Sequence, residues 1–482
     1  MTTLVSGPLS SLEAPVLAFA LEADGWRPDL GPALEVAVQD ATASKSSASL
    51  VLEDGTRAIV VVLGDQPGLE RWRWAAAAIA KAVAGIEAEA VTIAVPPGES
   101  AETAGALVEG FRLGAYGYHD FKSADAPDVA ALSLWSEASD LEDAVRTADL
   151  RAQATNWARD LVNTPPDAKM PDALAERVSK EARSAGLRAE VWDKERIEDE
   201  KMGGLLGVNR GSLDPPRFVV LEWAPEGHES DDPVVFVGKT VTYDTGGLSL
   251  KPTKDSMDKM KADMGGGAAV AGALVGAARL ELRVRVIGLL PMSDNRPGGR
   301  AYAPGDVLTM HSGTTVEVMN TDAEGRLLLA DALSYARSLH PRYVLDAATL
   351  TGAQGVALGE RVAAVVARPD DQDLADRVHS AGDATGDLAW PLPLYPHYQD
   401  QLKSDTADMS NVGGRMAGTI TAAAFLEHFT LEGGPGDSDR EPAYPWVHVD
   451  LARPAFLDSP YGYRPKGATG FGVRLLLDLL TD

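Results

Sequence analysis

Short apolar runs alternate with amphipathic stretches along the chain, which predicts alternating strands and helices. Residues 58–63 and 90–95 are rich in β-branched residues and predict buried strands, and the alanine-rich stretch 70–83 between them predicts a helix. The alternation continues with a predicted helix over 101–116 and a predicted strand over 129–135. A repeat of this kind is typical of a mostly parallel sheet with helices on its faces.

The second part of the chain repeats the pattern with more glycine. We predict strands at 218–221, 234–237, 284–290, 343–347 and 447–451, and helices at 171–185, 268–280 and 473–480. A long predicted helix over 141–161 ends at the turn cluster 163–166, which we take as a domain boundary. The sequence therefore predicts an α/β protein with two domains, residues 1–165 and residues 166–482, each a mixed or mostly parallel sheet flanked by helices.

The two predicted domains differ in their polar residues. We find no cluster of catalytic residue types in residues 1–165 and interpret their charges as solvated faces, so we assign this domain a role in packing or assembly. The candidate chemistry described below lies in residues 166–482.

Composition narrows the class of protein. The 482 residues are 45% apolar and 24% charged, as in ordinary globular proteins, and the formal net charge is −27. Such an acidic chain is a poor partner for nucleic acid or an anionic membrane. Residues 1–26 lack the basic start of a signal peptide, and no apolar run reaches the ~18 residues of a membrane span, so we expect a cytoplasmic location.

The supply of metal-binding residue types is also restricted. The chain has no cysteine, which excludes disulfides, thiolate nucleophiles and cysteine zinc sites. Its eight histidines are scattered, without the His-x-x-x-His spacing of a helical zinc site. A metal site in this chain must therefore be built mainly from oxygen ligands, with lysine as a further option.

The octapeptide 320–327 (NTDAEGRL) stands between a predicted strand, 315–319, and a predicted helix, 327–336. Asp322 and Glu324 have a simple alternative role there, because acidic residues often cap the first helical turn. Arg326 indicates that capping is not the whole explanation of this segment, since a cation at a helix start opposes the helix dipole. A bound anion or a cluster of negative charge would account for it.

Further candidates follow other predicted strands. Lys239 and Asp244 come after the strand 234–237, Lys251 follows a glycine pair, and Asp263 precedes a glycine-rich helix start. In a parallel sheet these positions share one edge, so we expect the side chains to converge. Several carboxylates held together resist ionisation unless divalent cations compensate their charge. Two such ions can activate a water molecule and polarise a carbonyl.

Both lysines have two possible roles on this evidence. Lys239 is either an ion-pair partner of the carboxylates or, as a neutral amine, a metal ligand, and the residues alone favour the ion pair. Lys251 is either a salt-bridge partner or a cation directed at charge that develops on a substrate oxygen.

Three motifs together resemble the leucine aminopeptidase (cytosol aminopeptidase) family. They are 237–252, which contains VGK and DTGGLSLKP, the DMGG of 263–266, and the octapeptide 320–327, which is that family's signature. The resemblance extends from 163–166 to 425–426, whereas the first 150 residues match in position and pattern only.

The resemblance implies a catalytic centre with two divalent ions, zinc or manganese. One ion would be held by Lys239, Asp244, Asp263 and Glu324, and the other by Asp244, Asp322 and Glu324. Lys251 would stabilise the oxyanion of the tetrahedral intermediate, and Arg326 would hold a bicarbonate that acts as general base.

The resemblance also implies a substrate and an assembly. The chain would remove N-terminal residues from peptides, with a preference for leucine or other apolar residues, and Met260, Thr349 and Ala452 would line the side-chain pocket. Members of the family usually form homohexamers. The enzyme would act without a membrane or nucleic-acid partner.

Two departures from the family pattern and two rival functions remain. The spacing from Lys251 to Asp263 is one residue longer than usual, so we predict a bulge at 253–256. Arg453 stands where the family usually has glycine. The rivals are a non-catalytic DNA-binding role, which the acidic charge disfavours, and a two-metal phosphoesterase, which a carboxylate cluster also permits.

Overall fold

The chain forms two structural units. The computed structural model describes residues 1–9, 12, 14–22, 24–30, 32–44, 47–52, 55–434 and 440–481. The first unit comprises Met1–Asn156 and Asp458–Lys466, and the second comprises Trp157–Leu457 and Gly467–Asp482. Within the described ranges, no helix is long and apolar enough to cross a membrane.

The first unit is built on a six-stranded sheet with the order β1-β6-β5-β2-β4-β3. Its strands are β1 (Thr3–Val5), β2 (Val16–Leu21), β3 (Ser47–Val51), β4 (Arg57–Val62), β5 (Ala90–Ala94) and β6 (Ala131–Trp135). Its helices are α1 (Pro32–Ser44), α2 (Glu70–Gly85) and α3 (Ala101–Gly114), followed by α4 (Glu142–Asn163), whose last residues belong to the second unit. The strands are parallel except β3, which pairs antiparallel with β4.

The charges of this unit are not all solvated faces, and that interpretation was wrong. Arg73 of α2 and Glu109 of α3 are only 5% and 4% exposed, and Arg73 Nε lies 2.6 Å from Glu109 Oε2. The two helices pack against each other over this pair, so side chains that look like surface positions in the sequence become buried at their contact. Helix periodicity locates the apolar face but does not reveal which neighbour covers the remaining faces.

The remaining strands belong to the second unit. They are β7 (Arg188–Trp192), β8 (Arg217–Trp223), β9 (Val234–Gly238), β10 (Thr240–Asp244), β11 (Val286–Asn295), β12 (Val307–Thr309), β13 (Thr315–Glu317), β14 (Tyr343–Ala348), β15 (Ala363–Ala367), β16 (Ala389–Leu392), β17 (Met409–Ser410), β18 (Trp446–Asp450), β19 (Phe456–Leu457) and β20 (Gly467–Ala468). The helices are α5 (Pro171–Ser184), α6 (Lys194–Asp199), α7 (Gly203–Asn209), α8 (Gly265–Arg279), α9 (Gly325–Ala336), α10 (Gly352–Leu358), α11 (Gln372–Thr385), α12 (Gly418–Glu427) and α13 (Val473–Leu479).

The main sheet of this unit has the order β16-β15-β18-β14-β9-β11-β8-β7, with β10 paired to β11. Its centre, β18-β14-β9-β11, is parallel, whereas β15 pairs antiparallel with β18, and β8 with β11. The central strands are fully buried, which explains their continuous apolar sequences. The prediction of a mixed α/β fold is confirmed. Because the central strands are parallel, the residues that follow β9, β14 and β18 lie at the same edge of the sheet.

The strand predicted before the octapeptide lies outside this sheet. It forms β13, which pairs with β12 and β17 in a separate three-stranded sheet. Asp322 therefore follows a strand of this separate sheet, and an expectation that the strand 315–319 joins the same parallel sheet as the other candidate strands is wrong. Alternation of apolar and polar residues indicates a strand but not its partner, and here the partner β17 comes more than 90 residues later.

Candidate metal centre

Lys239 lies directly after β9 and is 3% exposed. Its Nζ donates to Asp263 Oδ1 at 2.7 Å and to the carbonyl oxygen of Thr349 at 2.9 Å, and it lies 2.9 Å from Glu324 Oε1. Gly325 makes room for this lysine, because a Cβ at that position would lie 2.4 Å from Lys239 Cε. Burial alone would lower the pKa of Lys239, but the surrounding carboxylates raise it above its usual value. The ion pair that the residues favoured is thus present in this structure.

Asp244 ends β10, and Lys251 returns to it through a tight turn. Lys251 Nζ lies 2.8 Å from Asp244 Oδ2 and 2.5 Å from Asp322 Oδ1. The turn requires its two glycines: Gly246 and Gly247 have φ values of +83° and +63°. A Cβ at Gly246 would also lie 2.7 Å from Asp322 Oδ1. The glycine pair therefore brings the lysine over two carboxylates that lie 78 positions apart in the sequence.

The octapeptide loop carries Asp322 and Glu324 to the same place. Asn411 Oδ1 accepts from the backbone N–H of Met319 at 2.8 Å, and Asn411 Nδ2 donates to the Asn320 carbonyl oxygen at 2.7 Å. Glu324 occupies the N-cap of α9, yet its side chain accepts no capping hydrogen bond. The capping role considered for Glu324 is thus contradicted, and its carboxylate points towards Lys239 instead.

The cluster contains more negative than positive groups: four carboxylates against two ammonium groups. Burial raises the pKa of Asp244 to about 7 and raises those of Asp263 and Asp322 above their usual values. Burial would also raise the pKa of Glu324, but the two lysines lower it. The lysines therefore stabilise only part of the anionic charge, and a further cation would relieve the remainder.

Several oxygens of this cluster have no hydrogen-bond partner within the part of the chain that the structure describes. They are Asp263 Oδ2, Asp322 Oδ1, Glu324 Oε1 and Glu324 Oε2. Two of them lie within ion-pair distance of a lysine, but outside hydrogen-bond geometry. Oxygen atoms of Asp244, Asp322 and Glu324 lie within 4.8 Å of one another, a spacing that could hold a metal ion. Buried, unpartnered carboxylate oxygens fit a hard divalent cation, so the residues present match the predicted group.

Arg326 is buried beside this cluster. Its Nη1 donates to the carbonyl oxygen of Asn411 at 2.9 Å, whereas its Nε finds no hydrogen-bond partner among the described residues. Burial lowers its pKa to about 10, against the opposing effect of Glu324 and Asp450. A buried guanidinium with a free donor is suited to an anion.

Of the three predicted pocket residues, Thr349 forms a hydrogen bond to a side chain of the cluster. Its Oγ1 donates to Asp263 Oδ1 at 2.9 Å. Met260 is half-buried in a 3₁₀ turn, Met257–Ala262, and its carbonyl oxygen accepts from the backbone N–H of Asp263. Ala452 is half-buried, and its N–H lies 3.3 Å from Asp450 Oδ1.

The two departures from the family pattern can be located. Asp255, within the predicted bulge, has a φ of +60°, in the left-handed region that non-glycine residues rarely adopt. Arg453 is exposed, and its side chain lies against α10 at Gly355.

Sequence reasoning missed residues that support the cluster from behind. Asn295 Nδ2 donates to Asp244 Oδ1 at 2.8 Å, and Tyr302 Oη donates to the Thr321 carbonyl oxygen at 2.7 Å. Asp450 accepts from the N–H groups of Leu350 and Thr351 and so holds the loop that follows β14. The sequence did contain a signal for Asn295, because the polar run Ser293-Asp294-Asn295 stands at the end of an apolar strand.

Comparison with known proteins decides the family. A profile described as "Cytosol aminopeptidase family, catalytic domain" matches residues 156–477, and one described as the N-terminal domain of that family matches residues 36–125. The chain belongs to the cytosol aminopeptidase family. It is therefore an aminopeptidase, a hydrolase of peptide bonds, and the resemblance inferred from three motifs is confirmed.

Its similarity to individual relatives covers most of the chain. A probable cytosol aminopeptidase of Chloroherpeton thalassium is 43% identical over 476 residues, which are 92% of this chain and 91% of that protein. One of Chlorobium luteolum is 39% identical over 99% of both chains. Among solved structures, the bottromycin maturation enzyme BotP in complex with Mn has a TM-score of 0.85 and 37% identity, covering 97% of this chain and 99% of that one. A tomato leucine aminopeptidase mutant has a TM-score of 0.87 and 29% identity, covering 100% and 96%.

Proposed function

We propose that this chain is a two-metal aminopeptidase that hydrolyses the N-terminal peptide bond of peptides, with a preference for leucine or other apolar first residues. The observation that carries the proposal is the convergence of four carboxylates and two lysines around buried oxygens that lack hydrogen-bond partners. Manganese in a structurally similar relative supports a divalent cation here.

We assign one ion to Lys239, Asp244, Asp263 and Glu324, and the other to Asp244, Asp322 and Glu324. Such ions supply Lewis-acid polarisation of the peptide carbonyl and a more acidic water molecule. Lys239 can act as a ligand only as a neutral amine, but the neighbouring carboxylates raise its pKa and favour the protonated form. A cation bound to those carboxylates would compensate their charge and so lower the pKa of Lys239. Zinc and manganese are both compatible with this set of ligands.

Lys251 is assigned to the oxyanion of the tetrahedral intermediate. Its ammonium group lies 2.8 Å from Asp244 Oδ2 and 2.5 Å from Asp322 Oδ1, and in the proposed role an N–H of the same group is directed at a substrate oxygen. The ammonium group of Lys251 needs little rearrangement during the reaction, because both carboxylates fix its position before the substrate binds. Arg326, with its unpartnered Nε, would hold a bicarbonate that accepts the proton of the attacking water.

The remaining assignments follow from the family. Met260, Thr349 and Ala452 would line the pocket for the first side chain of the peptide. Residues 166–482 would be catalytic and residues 1–165 would serve assembly, in a cytoplasmic homohexamer.

The experiment is metal removal followed by add-back. Protein stripped with a chelator should lose hydrolysis of leucine anilide, and zinc or manganese should restore it at two ions per chain. A panel of amino-acid anilides ranks side-chain preference, and an aryl phosphate tested beside them addresses phosphoesterase chemistry. Full anilide hydrolysis without divalent ions, or faster turnover of the phosphate ester, would refute the proposal.

A further inference from the structure

Asn295 lies between two segments that carry proposed metal ligands. It ends β11 directly opposite Asp244, the last residue of β10. The two strands pair in parallel, but two residues of β10 lie between Val241 and Asp244, whereas one residue of β11 lies between their partners Ser293 and Asn295. This irregularity changes the register by one residue, as a β-bulge does, and so changes the face on which Asp244 lies.

The side chain of Asn295 joins both segments through one amide group. It is 0% exposed, and its Nδ2 donates to Asp244 Oδ1 at 2.8 Å and to the Thr321 carbonyl oxygen at 2.9 Å. Both acceptors lack hydrogens, so only the NH₂ end of the amide can face them. The amide therefore ties Asp244 to the residue that precedes Asp322.

The contacts at Asp244 show what this arrangement achieves. Asp244 Oδ1 accepts from Asn295 Nδ2 and also from the backbone N–H of Gly246 at 2.8 Å. Its other oxygen, Oδ2, lies 2.8 Å from Lys251 Nζ and faces the cluster. Two donors on one oxygen fix the orientation of the carboxylate plane, which would otherwise rotate away from its anionic neighbours.

We propose that Asn295 is a positioning residue of the metal centre, which holds Asp244 Oδ2 and the Thr321–Asp322 backbone in the geometry that divalent ions require. The proposal rests on the proposed function, since it concerns the same two ions. It adds a residue that is not itself a ligand and that acts through Asp244 and Thr321.

The test is Mn²⁺ binding to chelator-stripped full-length protein, measured by titration calorimetry on wild type, Asn295→Asp and Asn295→Ser. Asn295→Asp conserves shape and adds a negative charge, which by simple attraction would tighten cation binding. If Asn295 positions the ligands, binding should instead weaken by roughly 10–100-fold. Asn295→Ser removes the NH₂ group and its two hydrogen bonds without adding charge, and it should also weaken Mn²⁺ binding.

The matched control is the same pair of changes at Asn209. This asparagine is also buried in the second unit, and its Nδ2 donates to the Asp214 carbonyl oxygen and to Ser293 Oγ, away from the carboxylate cluster. Asn209→Asp and Asn209→Ser should bind Mn²⁺ as wild type does.

The outcomes separate the two proposals. Wild-type protein that binds no Mn²⁺ would refute the metal centre, and this inference with it. Wild type that binds two ions, with either Asn295 variant equally tight or tighter, would overturn the positioning role alone. Loss of folded protein in both Asn295 variants, judged by circular dichroism, would also overturn it, because the asparagine would then be needed for folding.

Discussion

Each unit of this protein contains a group of buried charged side chains, and the two groups differ in how their atoms are satisfied. In the first unit, Arg73 Nε lies 2.6 Å from Glu109 Oε2 and its Nη1 lies 2.9 Å from Glu70 Oε1. Glu70 also accepts from Tyr463 Oη at 3.1 Å. In the second unit, four carboxylates meet two lysines, and several of the carboxylate oxygens have no hydrogen-bond partner.

The difference shows how buried charge can serve structure or function. A buried charge is stable when it is paired and hydrogen-bonded, as in the Arg73 network. The cluster around Glu324 departs from this rule, with excess negative charge and unpartnered oxygens held in place by the fold. Such an arrangement is costly for the apo protein, and under the proposed function a bound cation would offset that cost. We therefore expect changes in the cluster to affect turnover, and changes in the Arg73 network to affect stability.

The largest effect should follow from Glu324→Gln. The amide removes a carboxylate shared by both proposed ions, so kcat for leucine anilide should fall by more than about 1,000-fold, beyond the contribution of a single oxyanion donor. The metal-free variant should remain folded, because Lys239 keeps its ion pair with Asp263.

Glu427→Gln is the matched control for that change. Glu427 lies in the same unit, and burial raises its pKa, but its partner is Gln399 and it lies outside the cluster. This variant should retain wild-type kcat. Wild-type turnover in Glu324→Gln would contradict the distinction between the two groups of buried charge.

The next largest effect should follow from Lys251→Met, which keeps most of the length of the side chain and removes its charge. If Lys251 stabilises the oxyanion, kcat should fall by about 10²–10³-fold, or about 2.7–4 kcal/mol, with little change in KM. Steady-state kinetics on leucine anilide measures both constants. A rise in KM at unchanged kcat would instead show that the lysine only helps to bind the ground state.

Glu109→Gln tests the buried charged group of the first unit. It removes the carboxylate charge that lies 2.6 Å from the buried Arg73 guanidinium, so the free energy of unfolding should fall by about 3 kcal/mol, the low end for a broken buried ion pair. Urea denaturation gives this change, and Mn²⁺ affinity and kcat of the folded protein should stay at wild-type values. If Glu109→Gln lost Mn²⁺ binding but kept the wild-type free energy of unfolding, the contrast between a structural and a functional group of buried charges would be contradicted.

The smallest effect concerns a third buried pair, in the second unit. His448 Nδ1 lies 2.5 Å from Asp346 Oδ1, and Trp446 Nε1 donates to Asp346 Oδ2 at 2.8 Å. Burial would lower the pKa of His448, but Asp346 raises it above its usual value. The folded protein thus keeps the proton to higher pH than the unfolded chain does.

The sign of the pH dependence follows directly. The contribution of His448 to stability is complete below the ordinary imidazole pKa of about 6.5 and is lost as the pH rises through the raised value. Melting temperatures between pH 6 and 9 should therefore fall more steeply in wild type than in His448→Gln. Identical slopes would show that this pair does not carry a proton in the folded protein.

Much of the local structure could be predicted because its signals are local. The apolar runs at 234–237 and 343–347 became β9 and β14, and the alanine-rich stretch at 70–83 became α2. The octapeptide and the glycine pair identified the family, since each motif is continuous in the sequence. What failed depended on distant partners: the sheet that contains β13, the burial of Arg73 against Glu109, and the support that Asn295 and Asn411 give to the ligand loops.

The sequence by itself determined the α/β alternation, the chemical types of the candidate residues and the family, because periodicity and short motifs are properties of neighbouring residues. The tertiary structure decided that Glu324 does not cap its helix, that Lys239 reaches Asp263 and Glu324, and that several carboxylate oxygens have no hydrogen-bond partner among the described residues. These features arise from contacts across 24 to 85 positions of the chain. The edge of the parallel sheet that carries Lys239, together with the loops that bring Asp263 and Glu324 to it, sets their distances.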